Sequence, residues 1–127
     1  MQLQLHEGLP FVDVQVGYRR KVATIPHVLI DTGSSSSILS VDRVAALGII
    51  PTPDDELRVI RGVGGTEAVF ARMLDFLQVG EYQLNKLEIE IGGMDYGFDI
   101  LGILGMDFLQ QARATVDIDA LELRIFC

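Results

Sequence analysis

Apolar residues alternate with polar or mixed ones along Phe11-Val12-Asp13-Val14-Gln15-Val16, the two-residue period of a half-buried strand. Gly17-Tyr18-Arg19-Arg20 reads as the turn after it, and a return strand runs from about Val22 to Ile30. Pro26 cannot donate to a ladder, so it marks an edge position or a bulge. The return strand ends in the apolar run Val28-Leu29-Ile30, which delivers Asp31 into a turn. Apolar sequence resumes in a short strand, Ile38-Leu39-Ser40. A helix follows from about Val41 to Leu47, with Ser40 or Asp42 as its cap and Gly48 as its stop.

Pro51-Thr52-Pro53-Asp54-Asp55-Glu56 is a polar connection. Beyond it, Leu57-Arg58-Val59-Ile60-Arg61 and Glu67-Ala68-Val69-Phe70 are β-prone arms around Gly62-Val63-Gly64-Gly65-Thr66, which predicts a hairpin with a bendable tip. Further strands are expected at about Met73 to Val79 and Leu84 to Ile91, with Gly92-Gly93 breaking the latter. Ile103-Leu104 is a fully apolar pair, closed by Gly105, that reads as a buried inner strand, and a second helix runs to about Ala112. Ala114 to Ala120 and Leu121 to Ile125 alternate around a polar turn as a closing hairpin. The fold class is therefore all-β with one or two short helices.

Length confines this pattern to one expected domain, residues 1–127, large enough to bury roughly two thirds of the surface its unfolded chain exposes. No apolar run approaches the roughly 20 residues of a membrane-spanning helix, so a soluble protein without a membrane partner is expected. Met1 to Glu7 has neither the basic flank nor the long apolar block of a secretory signal, which makes the cytoplasm the default location. A net charge of -8 with scattered basic residues argues against nucleic acid, whose binding depends on lysine and arginine displacing counterions. The one cysteine, Cys127, cannot form an internal disulfide or a metal site unaided, leaving an intermolecular bridge or a bystander thiol.

Candidate chemistry centres on Asp31-Thr32-Gly33-Ser34. A carboxylate at the end of an apolar strand is costly to bury without a partner, so its presence there asks for a reason. Asp and Gly also make ordinary turns, and the triplet alone does not decide between the two readings. Two further motifs follow in chain order: the glycine-tipped hairpin at Gly62, Val63, Gly64 and Gly65, and Ile103-Leu104-Gly105-Met106-Asp107-Phe108-Leu109. Together with Asp-Thr-Gly they resemble the retropepsin-like aspartic proteases of retroviral, retrotransposon and cellular type, over about Phe11 to Ile125.

That resemblance implies a closed retropepsin-like β-barrel with a flap hairpin, acting as an aspartic endopeptidase without metal or cofactor. Asp31 would be the catalytic carboxylate, and Thr32 would bond across to the partner's loop. Gly33 would admit the substrate backbone, and Ser34 would hydrogen-bond the carboxylate. Leu29, Gly62, Val63, Gly64 and Ile103 would contact an extended peptide or protein substrate. With a single Asp-Thr-Gly, the second carboxylate must come from another copy, so a homodimer is implied. Many retroviral members pair an acidic residue in the active-site loop with an arginine after the Ile-Leu-Gly motif; here Ser35 and Met106 stand in both places. Leu3, Leu5, Leu123 and Ile125 alternate as the interleaved terminal strands of such a dimer would.

Rival chemistries are thinner. His27 and the serines Ser34 to Ser37 hold the residue types of a nucleophile system, but nothing in the spacing fixes a triad. Gly62 to Thr66 lacks the lysine of a phosphate-binding loop. Asp54-Asp55 and Asp117 with Asp119 read as solvated faces rather than calcium ligands. The rival of another class is a noncatalytic dimerisation or peptide-binding module on the same fold.

Overall fold

In the computed structural model, which describes residues 1–62, 65–94 and 99–125, a short strand Gln4–His6 (β1) pairs antiparallel with Leu9–Tyr18 (β2). Along β2 the predicted alternation holds, with Val12, Val14 and Val16 buried and Asp13 and Gln15 exposed. The strand continues through Gly17 and Tyr18, which the sequence pattern assigns to the turn. The turn is Arg19-Arg20 alone, both at positive φ, the backbone handedness that a two-residue hairpin requires. Lys21–Ile30 (β3) returns antiparallel, and its register slips between Val12↔Val28 and Val14↔Ile25. The extra residue falls at Pro26-His27, a bulge that spares the ladder the missing proline N–H.

Ile38–Ser40 (β4) leads into a single α-helical turn, Val41–Val44 (α1), continued as a 3-10 turn over Ala45–Leu47 and stopped by Gly48 at φ +82. Neither expected cap is used: Ser40 occupies the N-cap position but makes no side-chain bond to the helix. Leu57–Gly62 (β5) pairs with Gly65–Val79 (β6), and β6 pairs in turn with Tyr82–Gly92 (β7). The two strands expected around Ala71-Arg72 are thus one. β6 changes partners along its length and so stays paired throughout: β5 covers its first part, β7 nearly all of the rest, and β2 the stretch from Phe76 to Gln78.

Gly102–Leu104 (β8) is the predicted inner strand, fully buried between β3, to which it runs parallel, and β4, to which it is antiparallel. Met106–Gln111 (α2) follows, and Ala114–Asp117 (β9) and Glu122–Ile125 (β10) form the closing hairpin. The sheet order is β1-β2-β3-β8-β4-β7-β6-β5, and the further pairing of β2 with β6 closes a ring of six strands. Closure demands Gly17: a Cβ there would collide with the Phe76 ring of the facing strand. The all-β class with two short helices is the one the alternation implies.

The ring holds a main core, in which Val16, Val44, Leu74, Leu77 and Phe108 are wholly shielded from water. A second, smaller apolar cluster is built around Phe11, Ile38, Met94, Ile100 and Ile103. Of the terminal residues expected to interleave with a partner, Leu3 and Leu123 are buried in the main core of their own chain. Met1 to Leu3 run beside β10 in the same chain, with the Leu3 N–H donating to Leu121 O at 2.7 Å and the Leu123 N–H to Met1 O at 2.8 Å. Leu5 remains exposed. Cys127 lies outside the described residues.

Candidate active site

β3 and β8 run in parallel with Leu29 beside Ile103 and Ile30 beside Leu104, and the Asp31 N–H extends this ladder by donating to Leu104 O at 3.0 Å. Ile30 points into the main core, so by strand alternation Leu29 and Asp31 belong to the opposite side. Asp31 is half-buried, and Thr32 and Gly33 are exposed. The chain then folds back on the carboxylate. The Gly33 N–H donates to Asp31 Oδ1 at 2.9 Å, and the Ser34 N–H donates to Asp31 O at 3.2 Å. A Cβ at Gly33 would stand 3.2 Å from Asp31 Oδ1, crowding the oxygen the backbone bond holds. Ser34 does not make the bond the resemblance implied. Its hydroxyl donates to Ser36 O at 2.7 Å, and a main-chain amide serves the carboxylate instead.

The loop is locked from behind by the start of α2. The Met106 N–H donates to Ser34 O at 2.8 Å and the Asp107 N–H to Ser35 O at 3.2 Å. Ser37, fully buried, donates its N–H to Asp107 Oδ2 at 2.9 Å and its hydroxyl to Asp107 Oδ1 at 2.7 Å, while that hydroxyl accepts the Gly105 N–H at 3.0 Å. The same Oδ1 accepts the Phe108 N–H at 2.7 Å. A Cβ on Gly105 would collide with the Ser36 carbonyl and lie 2.8 Å from Ser34 O, so the two segments approach this closely only because residue 105 lacks a side chain. Ser37 and Asp107 escaped the sequence reading as site residues. The available signal was an acidic residue in the first turn of a helix that directly follows a glycine.

Leu29 and Ile103, predicted as substrate contacts, come together in the second apolar cluster. Ile60 of β5 and Leu9 of β2 pack against it as well, and Met94 and Ile100 belong to its buried part. These four come from separate stretches of chain, and no periodicity links them in sequence. Gly62 ends β5 opposite Gly65, while Val63 and Gly64 lie outside the described residues. His27 packs its ring against His6, at 5.5 Å between centroids, and against Phe11. Among the described residues no hydrogen bond joins it to a serine, and the hydroxyls of Ser34 and Ser37 are engaged elsewhere, so the nucleophile system is not assembled. Among the described residues no three of His, Cys, Asp and Glu gather to hold a metal ion, and no helix is long and apolar enough to cross a membrane.

A family profile described as aspartyl protease matches residues 13–108. Among solved structures, the chain is similar to a retropepsin-like aspartic protease from Rickettsia conorii, with a TM-score of 0.68 at 19% identity, covering 97% of this chain and 93% of that one. At that identity the likeness is one of fold. A search of the curated proteins returns no match.

Proposed function

Because the chain belongs to the aspartyl protease family, we propose that it is an endopeptidase whose attacking water is activated between the Asp31 carboxylates of two copies. The observation that carries this reading is the placement of Asp31, held by its own N–H at the end of the β3–β8 ladder, half-exposed, with Leu29 and Ile103 in an apolar cluster beside it. Asp-Thr-Gly occurs once in the sequence and Asp-Ser-Gly not at all, so each chain supplies one such carboxylate.

Two carboxylates brought close cannot both ionise readily, and they share a proton. The charged member takes a proton from water as the water oxygen bonds the peptide carbonyl carbon. The protonated member gives its proton to the carbonyl oxygen. The tetrahedral intermediate collapses when the C–N bond breaks, the leaving nitrogen takes a proton from the dyad and one hydroxyl of the intermediate returns its proton to the dyad as the acid carbonyl forms, with no covalent acyl-enzyme. Substrate binds extended, its main chain added as a strand and its side chains in alternating pockets, under the β5–β6 hairpin acting as a flap. The exposure of Thr32, Ser35 and Met106 beside the loop supports a partner copy meeting the molecule at that face.

Replacing Asp31→Asn tests the chemistry: cleavage of a peptide library is expected to disappear while the fold survives, and equal cleavage by variant and parent rules the reading out. Diluting the parent tests the assembly. Specific activity should fall as the concentration passes the dimer dissociation constant, and activity proportional to concentration through the fully monomeric range contradicts the shared site.

A further inference from the structure

Glu67 lies on β6, directly opposite Ile60 of β5, and its side chain reaches the far end of β7. There its Oε1 accepts the Met94 N–H at 3.2 Å. A Cβ on Gly92 would stand 2.7 Å from that same oxygen and 2.9 Å from Val69 Cγ1, so the carboxyl group occupies a notch that only glycine leaves open. Met94, buried, belongs with Ile100 and Ile103 to the second apolar cluster, against which Ile60 and Leu29 pack. This hydrogen bond ties the hairpin to Met94, which forms a wall of this cluster, at the point where the hairpin contributes Ile60 to it.

We propose that Glu67 is a positioning residue for substrate binding: by holding the Met94 N–H it sets the Met94 wall of the apolar cluster against the β5–β6 hairpin. That fixes the width of the pocket that takes an apolar side chain of the extended peptide. The inference rests on the aspartic protease reading. It places the effect on binding, since Glu67 holds Met94 in the apolar cluster, and uniform binding moves KM while leaving kcat in place. What the wall requires of Glu67 is an acceptor oxygen in the notch, which a glutamine also supplies and an alanine does not.

The test compares the parent with Glu67→Gln and Glu67→Ala, using a peptide with apolar residues on both sides of the scissile bond and its non-hydrolysable reduced-amide analogue. The alanine variant is expected to raise KM and weaken analogue binding by about five- to tenfold, the scale of one lost hydrogen bond, with kcat within about twofold of the parent. Its Met94 amide should exchange with solvent faster by a similar factor. The glutamine variant should stay within about twofold of the parent in all three readouts. Should the alanine variant fail to fold, Gly92→Ala, which pushes the carboxyl group out of its notch, is expected to raise KM in the same way. Unchanged KM together with unchanged Met94 exchange, or a fall in kcat at constant KM, overturns the inference while the protease reading stands. A parent that neither cuts nor binds the peptides overturns the protease reading itself.

Discussion

Asp107 accepts both the main-chain N–H and the hydroxyl of Ser37, at 2.9 and 2.7 Å, and so fastens the first turn of α2 to the back of the loop that carries Asp31. Each group in this contact is committed, because the Ser37 hydroxyl also accepts the Gly105 N–H and Asp107 Oδ1 also takes the Phe108 N–H. Losing one member of such a network strands the others, and a buried unsatisfied donor costs about 1–3 kcal/mol.

Ser37→Ala is expected to lower stability by about 1–2 kcal/mol, since it leaves the Gly105 N–H unbonded in the interior. Asp107→Ala, which removes the acceptor for three donors, should cost about 2–4 kcal/mol and reduce cleavage more than unfolding accounts for. Denaturant titration measures the first quantity; activity at a concentration where the variant is fully folded measures the second.

Gly17 faces the Phe76 ring where β2 and β6 close the ring of strands. Gly17→Val should destabilise by about 1–3 kcal/mol, because its side chain takes the volume that the Phe76 ring fills and the ring must shift. Combining it with Phe76→Ala should recover part of that loss. Additive effects in a double-mutant cycle would show that the two positions do not press on each other.

Arg72 carries the loop before β5. It donates to both oxygens of Asp55 and to Ile50 O, and its guanidinium lies over the Tyr18 and Phe70 rings. The Thr52 N–H bonded to Asp55, aided by Arg72, holds the Asp55 carboxyl below the ordinary aspartate range despite the opposing effect of burial. A carboxyl whose folded pKa is depressed contributes stability that is fully present above the unfolded value near 4 and lost as pH falls through the folded one. Acid unfolding of Asp55→Asn should therefore be less steep than that of the parent below about pH 4. Identical pH–stability slopes for the two proteins would remove Asp55 from the account.

Much of the site was legible because its residues are neighbours in sequence. Leu29 and Asp31 sit two apart on one strand, Ile103 lies in the buried pair before Gly105, and both motifs meet through the β3–β8 ladder. The irregularity at Pro26 was legible too, since proline's missing donor is a local property, while the choice of a bulge over an edge position came from the register of β2 against β3. The continuity of β6 was not, because Ala71 and Arg72 break the apolar alternation for a reason that lies elsewhere in space: Arg72 is engaged by Asp55, Ile50 and Tyr18. Ser34 departs from the role the resemblance implies for a related reason. Which donor reaches a carboxylate depends on how the loop folds back, and the Gly33 N–H arrives first.

Strand periodicity, the turn glycines and the Asp-Thr-Gly and Ile-Leu-Gly words are covalent facts, and they sufficed for an all-β chain with one carboxylate set beside an apolar run. Only the tertiary structure paired Ser37 with Asp107, brought Ile60, Met94 and Ile100 to Leu29 and Ile103, and seated the Glu67 carboxyl over Gly92. Those contacts bring together separate strands and turns of the chain, and local preferences carry no information about which distant group arrives opposite.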